Sequence, residues 1–168
     1  MGSTIPQTVP VDPGSMEAFC RTVIRVKSLP QMTVPAIMIH SLADARAALA
    51  AANALGVAVT LVSAPGAAAY GGAGWFARVV EIAAAEHPDV KMTAILDCDD
   101  AAGHVLGALR AGLRRVRFSG GGEVAAKLAE IARGYGALLV QDEIEAFDPR
   151  GEKDPAEACR RFLEGAHG

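Results

Sequence analysis

The chain has 168 residues, 51% of them hydrophobic and 21% charged, which is material for one domain with a full apolar core. Its net charge is −3 at pH 7, and no run of Lys and Arg or basic stripe with interleaved aromatics occurs, so a nucleic-acid partner is not expected. The start MGSTIPQTVPVDPGS lacks a signal-like apolar core, no apolar run approaches the roughly 18 residues of a membrane span, and Cys20, Cys98 and Cys159 form neither a disulfide framework nor a CxxC pair. These features predict a cytoplasmic protein with no membrane partner.

In chain order, Met1 to Ser15 carries Pro6, Pro10 and Pro13 among small polar residues and reads as a flexible tail, leaving 16–168 as a single domain. Met16 to Leu29 is ambiguous, because the β-branched run Thr22 to Val26 suits a strand while Met16 to Cys20 could begin a helix. Ala36 to Ile39 is a short apolar strand ending at His40 and Ser41. Ser41 then caps a helix over Leu42 to Leu55, with Asp44 in its first turn and Gly56 at its end. Val57 to Val62 is a second strand, followed by a small-residue loop from Ser63 to Gly74 and a helix from Trp75 to Glu86 that stops before Pro88.

Lys91 to Gly122 holds the densest group of reactive side chains. The strand Thr93 to Leu96 stops at Asp97-Cys98-Asp99-Asp100, and Asp99 and Asp100 read as caps for a helix over Ala101 to Ala111. Gly112 is the left-handed terminator. In the next strand Val116 and Phe118 alternate with Arg115 and Arg117, before the turn Ser119-Gly120-Gly121-Gly122 and a helix over Glu123 to Arg133. Ala137 to Val140 is a fifth strand ending in Gln141-Asp142-Glu143. Asp154 and Pro155 then open a final helix to about Leu163.

Five strand-helix units in series predict an α/β fold, a parallel sheet with right-handed crossovers, either a partial TIM-barrel-like sheet or a doubly wound flavodoxin-like three-layer sandwich. In both, ligands bind beyond the carboxyl ends of the strands. Those ends carry His40, Ser63, Asp97, Cys98, Ser119 to Gly122 and Glu143. Asp97 is the acid/base candidate and Cys98 the ligand or nucleophile candidate, although an acidic residue at a strand end also serves as a cap and a lone thiol is often inert core. Ser119, Gly120, Gly121 and Gly122 before a helix suit an anion, because free N–H groups and the helix dipole converge there. A plain turn accounts for the same residues.

The patterns IHSLADARAALAAANALGVAVTLVSAPG, AILDCDD with ALRAGLRRVRFSGGG, and DPAEACRRFLEG resemble, in order, segments of the class II zinc-dependent fructose- and tagatose-bisphosphate aldolases. The resemblance implies a (β/α)8-type sheet, sugar-phosphate chemistry and a zinc cofactor, with Asp97 at the position of the family's proton donor and Glu143 at that of a glutamate after the fifth strand. The family's Asp-His pair stands here as Asp97-Cys98, and the strands bearing its other histidines have no counterpart, so no metal ligand is assigned. The expected function is an aldolase-related protein binding a phosphorylated or carboxylated small molecule, without classical aldolase activity. If an enzyme, it would be lyase-like; the alternative is a non-catalytic scaffold. Because five strands would leave sheet edges and an apolar face uncovered, a homodimer or larger homo-oligomer is expected.

Overall fold

A computed structural model describes residues 34–167; the expected tail, the ambiguous segment Met16 to Leu29 and Cys20 lie outside the described residues. The elements run β1 (Ala36–Ile39), α1 (Leu42–Leu55), β2 (Val59–Ser63), α2 (Ala67–Tyr70), α3 (Ala73–Glu86), β3 (Met92–Asp97), α4 (Ala102–Arg110), β4 (Arg115–Arg117), α5 (Gly122–Gly134), β5 (Leu138–Val140) and α6 (Pro155–His167). All five strands are parallel in the order β1-β2-β3-β4-β5. No strand order reverses, so successive right-handed crossovers lay the helices along one face, as in a barrel wall. Helix contacts follow that row, α6 against α1, α1 against α3, α3 against α4 and α4 against α5. β3 pairs with β2 through Val59↔Met92 to Val62↔Ile95, but with β4 only through Leu96↔Val116 and Asp97↔Arg117. This stagger is the shear of a curling sheet.

Local chemistry sets the boundaries. Ser41 Oγ accepts from Asp44 N at 3.2 Å at the start of α1, and Gly56 closes it in the left-handed region at φ 65°. Asp154 Oδ1 accepts from Glu157 N at the start of α6, with Pro155 at the first helical position. The small-residue stretch after β2, expected to be loop throughout, contains the single turn of α2. Asp99 and Asp100 do not cap α4, whose N-cap is Ala101 without a side-chain bond. Asp99 sits instead at φ 51°, and its carboxylate serves the neighbouring strand end.

Strand alternation sorts the core into two faces. Ile37, Ile39, Val59, Leu61, Leu96 and Val116 join the helices in the main cluster, where each fully buried large side chain contributes about 2 kcal/mol. The opposite face shows Ala36, Val62 and Ile95, covered by Ile144 and Ala146 from the chain that follows β5. That chain then docks on the outer edge of β1, with Met38 N donating to Phe147 O at 2.7 Å and Phe147 N to Ala36 O at 2.9 Å. The protein thus covers part of the inner face and one sheet edge with its own backbone.

Candidate functional site

The carboxyl ends of β2, β3 and β4 meet in one polar network. Asp97, the last residue of β3, is 4% exposed. Its Oδ1 accepts from Gly66 N and from Asp99 N, each at 2.9 Å, and its Oδ2 accepts from Arg117 Nη1 at 2.6 Å. Ser63, at the end of β2, accepts from Asp97 N at 2.9 Å and donates to Ala64 O at 3.1 Å. Arg117 ends β4 and also donates through Nε to Asp142 O at 3.3 Å, so neither bond uses Nη2. Ser119 Oγ donates to Asp99 Oδ1 at 2.9 Å, and Gln141 Nε2 donates to Gly120 O at 3.1 Å. One carboxylate therefore holds the loop after β2, the loop after β3 and the arginine of β4 in fixed relation.

The turn after β4 is shaped by its glycines. A Cβ on Gly120 would lie 2.5 Å from Cζ of Phe118, a core residue 2% exposed. Any larger residue would have to displace that ring. Gly122 lies at φ 64°, and α5 begins from Gly121 with no side-chain cap, leaving the first N–H groups of the helix for water or a ligand. Glu123, in that first turn, is paired with Lys127 at 2.7 Å.

The side chains of the remaining expected residues, His40, Cys98 and Glu143, do not bond to this network. Cys98 points to the helix side of the sheet, fully buried, and burial followed by the charge of Asp97 pushes its thiol up to about 12. It is protonated at neutral pH and has no access to solvent. His40 follows directly after β1, where its Nε2 lies 3.1 Å from Asp148 Oδ1, and Asp148 in turn takes two bonds from the Arg150 guanidinium. No hydrogen bond or ion pair among the described residues joins this pair to the Asp97 network. Glu143 is exposed on the stretch after β5. The structure links Ser63, Asp97, Ser119 and Gly120 at the strand ends; His40 follows Ile39, the pairing partner of Ser63, and Glu143 follows Asp142, whose carbonyl accepts from Arg117, but neither side chain bonds into the network, and the Cys98 thiol lies on the helix side. Arg117 is the central addition. Its signal was visible in β4, since alternation with Val116 and Phe118 puts it on the non-helical face, at the strand end. Asp148 gave no such signal, because Asp-Pro-Arg-Gly is ordinary turn composition.

A solved structure described as a probable tagatose 6 phosphate kinase, from Sinorhizobium meliloti 1021, superposes on 80% of this chain with a TM-score of 0.51 and 17% identity. A candidate fructose-1,6-biphosphate aldolase from Coccidioides immitis also superposes on 80% of it, with a TM-score of 0.53 and 15% identity. The likeness is one of fold. The chain spans about half the length of these proteins, 45% and 52% respectively. No family model matches the chain, and no curated protein matches it in sequence. The aldolase-like fold inferred from the motifs is therefore supported, while membership of the class II family is not.

The zinc implied by that resemblance can be tested against the residues present. A catalytic zinc needs about three protein ligands. Asp97 is committed to two backbone N–H groups and an arginine, the Cys98 thiol is buried and neutral, and no cluster of three His, Cys, Asp or Glu side chains suited to a metal occurs among the described residues. These residues do not fit the ion. Two cavities lie away from this network, at the opposite ends of the strands. One of about 540 Å³ is lined by residues including Val80, Met92 and Leu113, and one of about 340 Å³ by residues including Ala52, Val57 and Val90. Both cavities mix apolar with charged lining residues, Glu81, Arg114 and Arg115 in the first and Asp89 and Lys91 in the second.

Proposed function

We propose that the chain is a binding protein for a small phosphorylated or carboxylated molecule, held over the carboxyl ends of its strands, and that it does not catalyse the class II aldolase reaction. Arg117 carries this reading. It is fixed by Asp97 beside the Ser119 to Gly122 turn, retains Nη2 for a ligand, and faces the same strand ends as the uncapped N-terminus of α5. The guanidinium and the helix N–H groups are the donors of this cradle; the Ser119 hydroxyl, which donates to Asp99 Oδ1, borders it. With no zinc ligand set among the described residues, the zinc-dependent cleavage of the class II aldolases is not expected there.

Thermal unfolding in inorganic phosphate and in a triose phosphate tests the binding. At tenfold excess over Kd a ligand adds about 1.4 kcal/mol, or roughly 3–6 °C in Tm. Gly121→Asp places a carboxylate in the cradle and should remove the shift; an equal shift in the variant would refute the site. With fructose bisphosphate and added zinc we expect no turnover, and turnover that disappears in Asp97→Ala would overturn the non-catalytic part of the reading. A scaffold role is the second reading, favoured by the apolar residues exposed along α5 and β5.

A further inference from the structure

Arg115 is the arginine of β4 that the strand-end network does not use. It is exposed, and no hydrogen bond or ion pair among the described residues takes up its guanidinium. It stands at the amino-terminal end of its strand, beside a break in the sheet. β3 pairs with β2 from Met92 onward but with β4 only at Leu96 and Asp97, so the first half of this central strand has no paired neighbour on the β4 side among the described residues. The consequence shows in burial. Val59, Thr60 and Leu61 of β2 are buried, whereas their partners Met92, Thr93 and Ala94 are only half-buried. Ala77 and Val80 of α3 are half-buried as well.

The cavity of about 540 Å³ lies in this break. Val80, Met92 and Ala94 reach it from the helix side of the sheet, and Thr93 and Arg115 from the other side. One cavity touches both because the strands are parted there. Its volume falls within the range of small-molecule sites, about 300–1,000 Å³. Its charges do not balance. Glu81 is paired with Arg78 at 2.8 Å, while Arg114 donates through Nη1 to Tyr135 O at 2.7 Å and has no carboxylate partner among the described residues. Two guanidinium groups without a counter-charge therefore adjoin an apolar trough.

We infer that this cavity is a second ligand site, for an amphipathic carboxylate whose head pairs with Arg115 and Arg114 and whose hydrocarbon body lies along Val80, Met92 and Leu113. A guanidinium holds a carboxylate through two parallel hydrogen bonds. The body displaces water from walls that offer it few partners, and each methylene covered adds to the affinity. A small anion with no body gains only a solvated ion pair there, and a body with no anion leaves the arginines without a counter-charge. The site lies at the opposite ends of the strands from Arg117 and Gly121, so it does not depend on the anion cradle.

Octanoate is the probe, titrated into the full chain carrying methyl-labelled methionine and followed by NMR. The Met92 methyl signal, assigned by its disappearance in Met92→Leu, should shift saturably, while that of Met38 on β1 should stay in place. Acetate and 1-octanol should each bind at least tenfold more weakly than octanoate. Arg115→Glu, at an exposed position, should weaken octanoate binding at least tenfold with the ligand-free spectrum otherwise retained. Val80→Gln keeps both arginines and alters the wall, and it should also weaken binding. Gly121→Asp, which blocks the strand-end cradle, should bind octanoate as the wild type does; loss of binding in that variant would place the carboxylate at the strand ends and overturn the inference. A Met92 signal unmoved by several millimolar octanoate would overturn it too, as would a shift that Arg115→Glu leaves unchanged.

Discussion

Asp97 has the residue types of a catalytic acid but the surroundings of a brace. Of its contacts, two are backbone N–H groups from loops that follow different strands and the third is the guanidinium of Arg117. Removing the carboxylate leaves a part-buried cation and two N–H groups without partners, a far larger penalty than the net value of the bonds themselves. We therefore expect Asp97→Ala to lose about 3 kcal/mol in urea unfolding, and a loss under 1 kcal/mol would show that water replaces the brace. Gly120 gives a second residue-level test. Gly120→Ala brings a methyl into the Phe118 ring and should cost about 1–3 kcal/mol by overpacking. Gly121→Ala, which meets nothing within 4 Å, is its control. The sequence reading placed Asp97, Ser63, Ser119 and Gly120 at strand ends correctly, because the end of an apolar run is a local signal. Their mutual bonds were not legible, because they join residues of separate β/α units whose spacing depends on the twist of the sheet.

At the level of elements, the helices and strands were read from periodicity and caps, and α1 appears with the predicted bounds Leu42–Leu55. What escaped was the stretch from Gln141 to Asp148, which has no period and yet performs a structural task. Ile144 and Ala146 cover Ala36, Val62 and Ile95, and Phe147 stacks on Phe162 of α6 with ring centroids 4.9 Å apart. Its apolar residues are scattered among Asp142, Glu143 and Glu145, so composition alone describes a surface loop. Ile144→Asp should desolvate a charge against that small cluster and lose about 2 kcal/mol. The variant should also bind an apolar dye at native pH, and unchanged stability with no dye binding would show that the stretch does not seal the inner face.

For the molecule as a whole, a barrel-like sheet of five strands has two edges and one uncovered face, and the fold treats them differently. Part of the face and the β1 edge are covered by the chain after β5, whereas the β5 edge is open among the described residues. The tie that ends the covering stretch is electrostatic: Asp148 meets His40 from the end of β1 and takes two guanidinium bonds and a backbone N–H bond from Arg150. Burial pushes the Asp148 carboxyl up, but the Arg150 bonds and His40 together outweigh it and hold it below the usual carboxylate value. A carboxyl depressed in the folded state contributes stability above its unfolded value of about 3.9, and that contribution is lost as the pH falls through the lower folded value. Asp148→Asn should therefore cost up to about 1 kcal/mol at pH 7, the group being partly solvated. The difference between variant and wild type should shrink toward zero in acid below pH 3. Urea midpoints of the two proteins at pH 7 and pH 2.5 measure it, with ionic strength held constant. An equal deficit at both values would mean that Asp148 secures the covering stretch by packing and neutral hydrogen bonds, and that the tie between β1 and the end of that stretch is not held by charge.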